Sequence, residues 1–417
     1  MIKRNLVLEY RIRRLEKLMN EGGASGHMSH IYDYTDLTLR DIKDIITNLF
    51  SGKVEDITEK LDGMNIQCTL NNDGKVVFVR NKGDLNSEAG GMIRDDVAAK
   101  WAGREHVANT YLSAYDTIEK VFKNIGKSFF NPDKNTKILA NCECITTGKT
   151  NVLVYANAQV DFHNLWIYKR KDENSQWEKD SVTTDGIKVL EKACENIDGA
   201  QLTPRVVIRV TEKSAALQEE YISKIESVFN ADGCSDDSTI DQYKQARFEK
   251  ICNKKYPWIT DNTVGMKALY NRWFNDDKST KLTELKKIYK GNLDEFTALN
   301  STDYKDIVSE CSRPLDVFFS RFGNAIIKLC DGLVNAGAES HVIDTLSADL
   351  KNIVADVQAS GSDELNKELT FHLNRLAELG NQINATEGIV FKYGDRLMKC
   401  TGSFAALNRA LGLRFKM

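Results

Sequence analysis

Proline and long apolar runs are scarce in this 417-residue chain. The 4 prolines and 26 glycines form no Pro- or Gly-rich tract, which argues against a long disordered linker. No run of about 18 uncharged apolar residues occurs, so we expect neither a transmembrane helix nor a membrane partner. Charges scattered among the apolar positions of residues 1–24 exclude a secretory signal, and the spacing predicts an amphipathic N-terminal helix there.

Pairs of the form C-x-x-C are also absent, although the chain has 9 cysteines. An odd number of cysteines without such pairs is typical of structural thiols in a reducing compartment, so we expect a cytoplasmic protein. The formal net charge of -3 excludes the basic footprint of a protein that wraps duplex nucleic acid. A local basic groove is compatible with that charge.

The remaining sequence falls into zones of different periodicity. Residues 25–212 combine a helix, which Thr38 and Asp41 open with a capping-box pattern, with several strand-like segments. Two of these segments, "NIQCTL" and "KVVFVRNKGD", flank the turn sequence "NNDG" and predict a β-hairpin. Residues 213–383 carry long helical patterns, and strand patterns return in residues 384–417. We therefore predict an α+β fold with antiparallel sheets, interrupted by a large all-helical insertion.

A lysine-centred motif lies in the first strand-rich zone. The stretch "EKLDGMN" contains Lys60 and Asp62, and by itself it reads as a solvated ion pair followed by a turn. Further along, the chain carries the segment 80–83 (RNKG), a strand with Glu143, the segment 387–390 (EGIV) and Lys399. The joint order of these segments indicates a function, whereas no single segment does.

This order resembles that of the covalent nucleotidyltransferases, the superfamily of ATP-dependent DNA ligases, RNA ligases and mRNA capping enzymes. Their signature is K-x-D-G, a strand with Arg, a strand with Glu, E-G-hydrophobic-V and a Lys-rich strand. With Glu59 before the motif and Asn65 after it, the chain resembles the phage-type RNA ligases most. The resemblance covers residues 55–168 and 385–404, and it implies a ligase adenylation-type domain in residues 25–212 and 384–417.

The resemblance implies a covalent reaction on Lys60. The Lys60 amine would attack the α-phosphate of ATP, release pyrophosphate and hold AMP as a phosphoramidate. Because a lysine attacks phosphorus only as the neutral amine, this role needs a partly dry pocket with neighbouring cations. The implied catalytic residues are Lys60, Asp62 as its orienter, and Lys399. The implied nucleotide-binding residues are Glu59, Leu61, Gly63, Asn65, Arg80, Lys82, Glu143, Phe162, His163, Glu387 and Lys392.

Some of these residues have more specific implied roles. Glu143 and Glu387 would either be ligands of Mg²⁺, which prefers hard oxygen atoms and bridges to phosphate, or accept hydrogen bonds from the ribose hydroxyls. Either Phe162 or His163 would stack on adenine, and a one-residue difference in register decides between them. Gly63 would let the backbone approach the nucleotide closely.

The chain also departs from the family pattern. The last motif usually has two lysines separated by one residue, whereas residues 397–401 read LMKCT. One cation is therefore missing, at Thr401 if Lys399 matches the first lysine and at Leu397 if Lys399 matches the second, unless Lys392 or Arg396 replaces it. We expect no C-terminal OB-fold, because the sequence after the last motif leaves no room for one. The helical insertion precedes the fourth motif, and it could act as a substrate lid or dock a protein partner.

The sequence thus predicts an ATP-dependent enzyme that passes AMP to the 5′-phosphate of a nucleic acid, with RNA ends as the expected partner. The resemblance to phage-type ligases implies a phage protein acting in the host cytoplasm. Two alternatives stay open. The nucleotide could pass to a protein or a small molecule, which the near-neutral charge and the insertion favour. The chain could also be a non-catalytic nucleotide-binding or assembly protein, which the incomplete last motif favours.

Overall fold

The computed structural model describes residues 28–54, 57–149, 152–203, 205–335 and 337–417. The helix predicted for residues 1–24 lies outside the described residues. The strands are β1 (Ser29–His30), β2 (Thr58–Lys60), β3 (Met64–Leu70), β4 (Val76–Val79), β5 (Thr136–Ile145), β6 (Gly148–Lys149), β7 (Val154–Tyr155), β8 (Gln159–Lys169), β9 (Glu178–Val182), β10 (Ala200–Leu202), β11 (Val207–Ile208), β12 (Cys330–Asp331), β13 (Gly388–Tyr393) and β14 (Arg396–Cys400).

Helices account for most of the second half of the chain. They are α1 (Leu39–Phe50), α2 (Lys82–Leu85), α3 (Arg94–Lys100), α4 (Glu105–Ile125), α5 (Lys127–Phe130), α6 (Thr184–Cys194), α7 (Glu212–Asn230), α8 (Ile240–Lys255), α9 (Pro257–Thr260), α10 (Thr263–Phe274), α11 (Leu282–Ile288), α12 (Leu293–Ala298), α13 (Tyr304–Ile327), α14 (Glu339–Ser360), α15 (Asp363–Glu378) and α16 (Phe404–Leu411).

The longer strands form two sheets. The four-stranded sheet has the order β1-β14-β13-β2, and the six-stranded sheet has the order β10-β8-β5-β3-β4 with β9 also paired to β8. The fold is therefore α+β. Two edge strands depart from the predicted antiparallel arrangement, since β1 pairs with β14 and β10 with β8 in parallel. A parallel neighbour needs a crossover connection, and α6 provides one before β10.

Helix α1 begins where its capping residues predict. The Thr38 hydroxyl accepts a hydrogen bond from the Asp41 amide at 3.1 Å, and the Asp41 carboxylate accepts one from the Thr38 amide at 2.8 Å. The two bonds satisfy amides that an α-helix leaves without partners at its start. The predicted apolar stripe is buried, so the helix prediction is confirmed; its residues are Leu39, Ile42, Ile45, Ile46 and Leu49.

The predicted hairpin is also confirmed, with one correction at its end. Strands β3 and β4 pair in antiparallel register around residues 71–75. We expected the second strand to run to residues 80–83, but β4 ends at Val79. The reason is local, because the Asn81 side chain accepts a hydrogen bond from the Asp84 amide at 3.0 Å and so caps the short helix α2.

One face of each sheet packs against helices, and the opposite face of the six-stranded sheet is also buried around Leu139, Tyr168 and Trp177. The four-stranded sheet buries Ile389, Phe391 and Met398 against α1, α7 and α13. The six-stranded sheet buries Cys142 and Phe162 against α4 and α6. Because side chains alternate along a strand, the residues between these buried positions lie on the opposite faces of the sheets.

The segment 213–383 is helical apart from β12, which pairs with β11. It does not form one core of its own, because α7 and α13 complete the core under the four-stranded sheet. Helices α14 and α15 pack with α16 and with Leu61 and Tyr155 from the strand-rich part. A further helical cluster is built from residues between Phe248 and Cys311. Within the described part of the chain, no helix has the length and apolarity that crossing a membrane requires.

Candidate active site

The motif around Lys60 connects the two sheets. Lys60 is the last residue of β2 in the four-stranded sheet, and Met64 is the first residue of β3 in the six-stranded sheet. Residues 61–63 form the crossover between them. Lys60 therefore lies at the junction of the two sheets, where both can contribute side chains to one site.

Strand β13 brings Glu387 to Lys60. Gly388 is the register partner of Lys60, and the Lys60 Nζ lies 2.6 Å from Glu387 Oε1. Both side chains are largely shielded, with exposures of 23% and 15%. Burial raises the pKa of Glu387 to about 7, opposed by the positive charge of Lys60 and assisted by Asp62 and Glu143. Glu387 therefore exchanges its proton near neutral pH while in contact with a lysine amine.

Lys399 lies on the same face of the four-stranded sheet. It is the register partner of Val390, which also pairs with Thr58 two residues before Lys60. Burial lowers the pKa of Lys399, and the charge of Lys60 lowers it further. Two lysines thus share one face of the sheet, with Glu387 in contact with Lys60 and the charges of Glu387 and Asp33 acting on Lys399, an arrangement suited to an anionic ligand.

Asp62 anchors the crossover. Its carboxylate Oδ2 accepts hydrogen bonds from the amides of Val152 and Leu153, each at 2.6 Å. Its own amide donates to the Tyr155 hydroxyl at 2.9 Å. The residue is buried, and its negative charge contributes to the raised pKa of Glu387. Asp62 therefore acts on the site through the position of the backbone and through its charge.

Gly63 is required by a close protein contact. A Cβ at this position would lie 2.5 Å from Glu143 Cγ and 2.8 Å from the Cys144 carbonyl oxygen. The absence of a side chain lets Glu143 fold over the crossover. The structure thus explains the glycine by its contact with Glu143, and the predicted close approach to a nucleotide stays a prediction.

Glu143 forms a polar group with two neighbours on the six-stranded sheet. Asn65 is its register partner on β3 and donates a hydrogen bond from Nδ2 to Glu143 Oε2 at 3.3 Å. His163 Nε2 lies 3.5 Å from the same oxygen, and His163 Nδ1 lies 2.5 Å from the Thr203 hydroxyl. Three of the predicted nucleotide-binding residues therefore meet at this end of the sheet.

A register irregularity separates Phe162 from His163. The pairing of β5 with β8 shifts between Asn141 and Cys142, so His163 is an extra residue on β8. Phe162 is 0% exposed and packs in the core next to Phe122. His163 is partly exposed and contacts Glu143. The register therefore places His163 at the site and Phe162 beneath the sheet.

Glu59 and Leu61 point away from Lys60. Glu59 is 2% exposed, and its Oε2 accepts a hydrogen bond from the Val334 amide at 2.6 Å. Burial raises the pKa of Glu59 to about 7, although this hydrogen bond and one from Thr386 oppose the rise. Leu61 packs in the core formed with α14 and α15. These two predicted nucleotide-binding residues fix the strand that carries Lys60.

The remaining predicted cations lie at the margin. Arg80 and Lys82 are exposed beyond the end of β4. Lys392 is exposed on the Lys60 face of β13, opposite Leu397. Arg396 is held by a bidentate ion pair with Asp36, at 3.1 and 2.5 Å, so it does not replace the missing lysine.

Position 401 carries the uncharged residue of the incomplete motif. Thr401 is 6% exposed. It lies against Gly388, whose φ of 151° is accessible to glycine and whose Cβ would collide with the Cys400 carbonyl oxygen. The space next to Lys60 at this point is therefore filled by backbone.

Two site residues were missed by the sequence analysis. His30 on β1 is the register partner of Lys399, and burial together with Lys399, Arg409 and Lys60 lowers its pKa to about 3. Asp161 is the register partner of Glu143; burial raises its pKa to about 6, and Gln159 and Gln201 donate hydrogen bonds to it at 2.8 and 2.7 Å. Both depend on pairing between distant strands, which leaves no local sequence signal.

The donor set fits a cation bound together with phosphates. Among the described residues, no group of three or more His, Cys, Asp or Glu side chains could hold a metal ion by itself. Glu143 and Glu387 nevertheless share the site, since the charge of Glu143 raises the pKa of Glu387. Mg²⁺ commonly uses one or two carboxylates, with waters and substrate phosphates completing its shell. The role of Glu143 and Glu387 as Mg²⁺ ligands stays a prediction.

Comparison with known proteins adds a distant likeness. No protein-family model matches the chain, and no curated protein matches it significantly. A solved structure described as "Archaeal ATP-dependent RNA ligase - form 2" aligns with 94% of this chain and 81% of its own, at 11% sequence identity and a TM-score of 0.21. This likeness is too distant to carry an assignment, so the functional argument rests on the residues of the site.

Proposed function

We propose that the chain is an ATP-dependent covalent nucleotidyltransferase of the RNA-ligase type, with Lys60 as the nucleophile. The observation that carries the proposal is the 2.6 Å contact of Lys60 with Glu387 at the junction of two sheets, next to the half-buried Lys399. The order of the motifs along the chain supports the same reaction. A lysine, an adjacent proton acceptor and a second cation are what attack on a phosphate requires.

The first step forms the bond between Lys60 Nζ and the α-phosphorus of ATP. The bond from that phosphorus to the oxygen bridging the β-phosphate breaks, and pyrophosphate leaves with its electron pair. The ammonium proton of Lys60 passes to the Glu387 carboxylate, whose pKa of about 7 suits proton acceptance near neutral pH. Lys399 offsets the negative charge that develops on the phosphate oxygens.

The six-stranded sheet would hold the other side of the nucleotide. Asn65, Glu143 and His163 present an amide, a carboxylate and a ring at one edge of the site. These groups suit the ribose hydroxyls and the adenine. Mg²⁺ held by Glu143 would supply further charge neutralisation to the phosphates, while Glu387 serves as the proton acceptor.

In the second step the AMP passes from Lys60 to the 5′-phosphate of an RNA, and in the third an RNA 3′-hydroxyl displaces AMP. RNA is proposed as the acceptor because Glu59 and Asn65 resemble their counterparts in phage-type RNA ligases. Transfer of AMP to a protein or a small molecule would use the same first step. Conversion of a 5′-phosphorylated RNA to an adenylylated or ligated product distinguishes these acceptors.

The test is incubation with ATP labelled at the α-phosphorus and with Mg²⁺. We expect a labelled adduct that is stable to alkali and labile to acid. Lys60→Ala should remove it, whereas Lys53→Ala, at an exposed lysine upstream, should keep it. An adduct that survives Lys60→Ala would overturn the proposal.

A second candidate is a nucleotide-binding protein that does not catalyse transfer. Thr401 favours it, because this buried residue places no charge where the family has a second lysine. If the protein binds nucleotide without catalysing transfer, calorimetry should detect ATP binding. The folded wild-type protein should then form no adduct on Lys60.

A further inference from the structure

A cluster of cations and tryptophans lies on the six-stranded sheet, away from Lys60. The Lys179 Nζ is 3.0 Å from the ring centre of Trp166. The Arg170 Cζ and the Lys137 Nζ are 4.6 and 5.1 Å from the ring centre of Trp177. We call these five residues the Trp–cation cluster.

The cations of the Trp–cation cluster form no close ion pair within the described part of the chain. Among the described residues, no carboxylate lies within ion-pair distance of Lys137, Arg170 or Lys179. Arg170 instead donates its hydrogen bonds to main-chain oxygens, at 2.8 to 3.2 Å. Neighbouring lysines behave differently, since Lys169 pairs with Asp180 at 3.0 Å. Among the described residues, three positive charges therefore lie together without a direct ion pair, and Asp172 is near enough for the charge of Arg170 to lower its pKa.

These charges are also poorly hydrated. Lys137 is 8% exposed, and burial and the charge of Arg170 lower its pKa. Burial lowers the pKa of Lys179 to about 8. Contact with an aromatic ring face offsets only part of the hydration free energy that a buried cation loses. An external anion would compensate the rest, and its binding would favour the charged forms of both lysines.

The Trp–cation cluster shares a sheet face with the candidate active site. Lys137 and Glu143 are both on β5 and are six positions apart, an even offset, so their side chains lie on the same face. Tyr168 is the register partner of Lys137 on β8 and of Lys179 on β9, which places Lys179 on that face as well. The cluster and Glu143 therefore lie on the same side of the sheet, separated by Leu139, which is buried together with Tyr168 and Trp177.

The separation fits a run of nucleotides. The six residue steps of extended strand from Lys137 to Glu143 span about 20 Å at ~3.3 Å per step. Phosphates along one strand of a duplex advance by ~3.4 Å each, so the cluster lies about six nucleotides from the site. A small nucleotide bound at Lys60 would not reach that far, whereas a polynucleotide would.

We propose that the Trp–cation cluster binds the phosphodiester backbone of a polynucleotide whose reacting end lies at Lys60. The inference rests on the proposed function, since this polynucleotide is the acceptor in that reaction. The contacts are with phosphates, so they select for length and not for base sequence. The negative net charge of the whole chain is consistent with a local site of this kind.

The test compares a double variant, Arg170→Gln with Lys179→Gln, with a control of equal charge change, Lys286→Gln with Lys287→Gln. The control lysines are exposed on α11. Binding of fluorescein-labelled, 5′-phosphorylated RNAs of about 12 and about 3 nucleotides is followed by anisotropy between about 50 and 200 mM salt. Thermal unfolding of each variant verifies that the fold is retained, and Lys179→Gln alone is used if the double variant unfolds.

We expect the double variant to bind the longer RNA on the order of tenfold more weakly at about 0.1 M salt, with a slope of log affinity against log salt that is smaller by about 1.4. The control variant should bind like the wild type, and the shorter RNA should not distinguish the proteins. A DNA of equal length should show the same loss, because its phosphates are the same. The inference would be overturned by an equal loss of affinity in the control variant or with the short RNA. A loss of affinity confined to RNA or to DNA would overturn it as well.

The labelled-ATP reaction separates this inference from the proposed function. If wild-type protein forms the Lys60 adduct and the double variant binds long RNA normally, the Trp–cation cluster is not the polynucleotide site and the proposed function stands. If no adduct forms and long RNA binding still depends on the cluster, the proposed function fails and the cluster is an RNA-binding surface.

Discussion

Lys60 Nζ and Glu387 Oε1 lie 2.6 Å apart, although their residues come from opposite ends of the chain. The pairing of β2 with β13 creates the contact, with Gly388 directly opposite Lys60. A carboxylate that titrates near neutral pH is therefore held against the proposed nucleophile. The predictions below test this relationship and the parts of the fold that maintain it.

Replacement of Glu387 by Gln should slow formation of the Lys60 adduct by about 100-fold, because the proton acceptor is lost. In the wild type the rate should rise with pH as Glu387 loses its proton at a pKa of about 7. This rise should be absent from the variant. Single-turnover labelling between about pH 5.5 and 8.5 measures both effects. A variant that keeps the rise would exclude Glu387 as the group responsible.

Lys399→Ala should reduce the rate of adduct formation by about 100-fold, because one preorganised positive charge near the phosphates is removed. Lys399→Arg should recover part of the rate. Lys392→Ala should cost less than Lys399→Ala, since Lys392 is exposed whereas burial lowers the pKa of Lys399. A larger loss of rate in Lys392→Ala than in Lys399→Ala would mean that Lys392 supplies the missing cation of the last motif.

Gly63→Ala should destabilise the protein by about 1–3 kcal/mol through overpacking. The added methyl group would lie 2.5 Å from Glu143 Cγ, so ATP affinity should fall as well. Gly412→Ala is the matched control, because its φ is −65° and its Cβ meets nothing within 4 Å. Denaturant unfolding and calorimetry give the two readouts. Equal stability of both variants would contradict the close contact at Gly63.

Glu59 should make the protein less stable as the pH rises. Its ordinary pKa of 4.5 applies to the unfolded chain, and its pKa in the fold is about 7. Between these values the folded state binds more protons, so the free energy of unfolding falls with increasing pH. From pH 5.5 to 8 this contribution amounts to about 2 kcal/mol.

Glu59→Gln removes that titration. From pH 5.5 to 8, the free energy of unfolding of Glu59→Gln should therefore rise relative to that of the wild type by about 2 kcal/mol. Glu88→Gln, at an exposed position, should show no such shift. Denaturant unfolding at several pH values measures it, and parallel curves for wild type and Glu59→Gln would contradict the role of Glu59.

Local features of the fold were predictable from the sequence. The capping pair Thr38 and Asp41, the apolar stripe of α1 and the turn between β3 and β4 all act within a few residues, so their effect is independent of the rest of the chain. The predicted end of β4 was wrong. The Asn81 side chain caps α2, and this equally local interaction outweighs the strand pattern of the sequence.

The site was predictable as a set of residues, whereas its geometry was not. Lys60, Glu143, Glu387 and Lys399 were chosen by their order along the chain, and the structure brings these residues to one junction. Their chemical roles stay predictions. His30 and Asp161 had no sequence signal, since each enters the site through pairing with a distant strand.

The sequence by itself determined the α+β class, the helical nature of residues 213–383 and the residue types available for chemistry. Periodicity and turn chemistry are local, and they are sufficient for these conclusions. Only the tertiary structure decided that Phe162 is buried while His163 faces Glu143. It also decided that the Asp62 carboxylate accepts hydrogen bonds from the amides of Val152 and Leu153. The contact of Glu387 with Lys60 is a third feature of this kind. Each of these depends on strand register, which is set by packing between segments far apart in the chain.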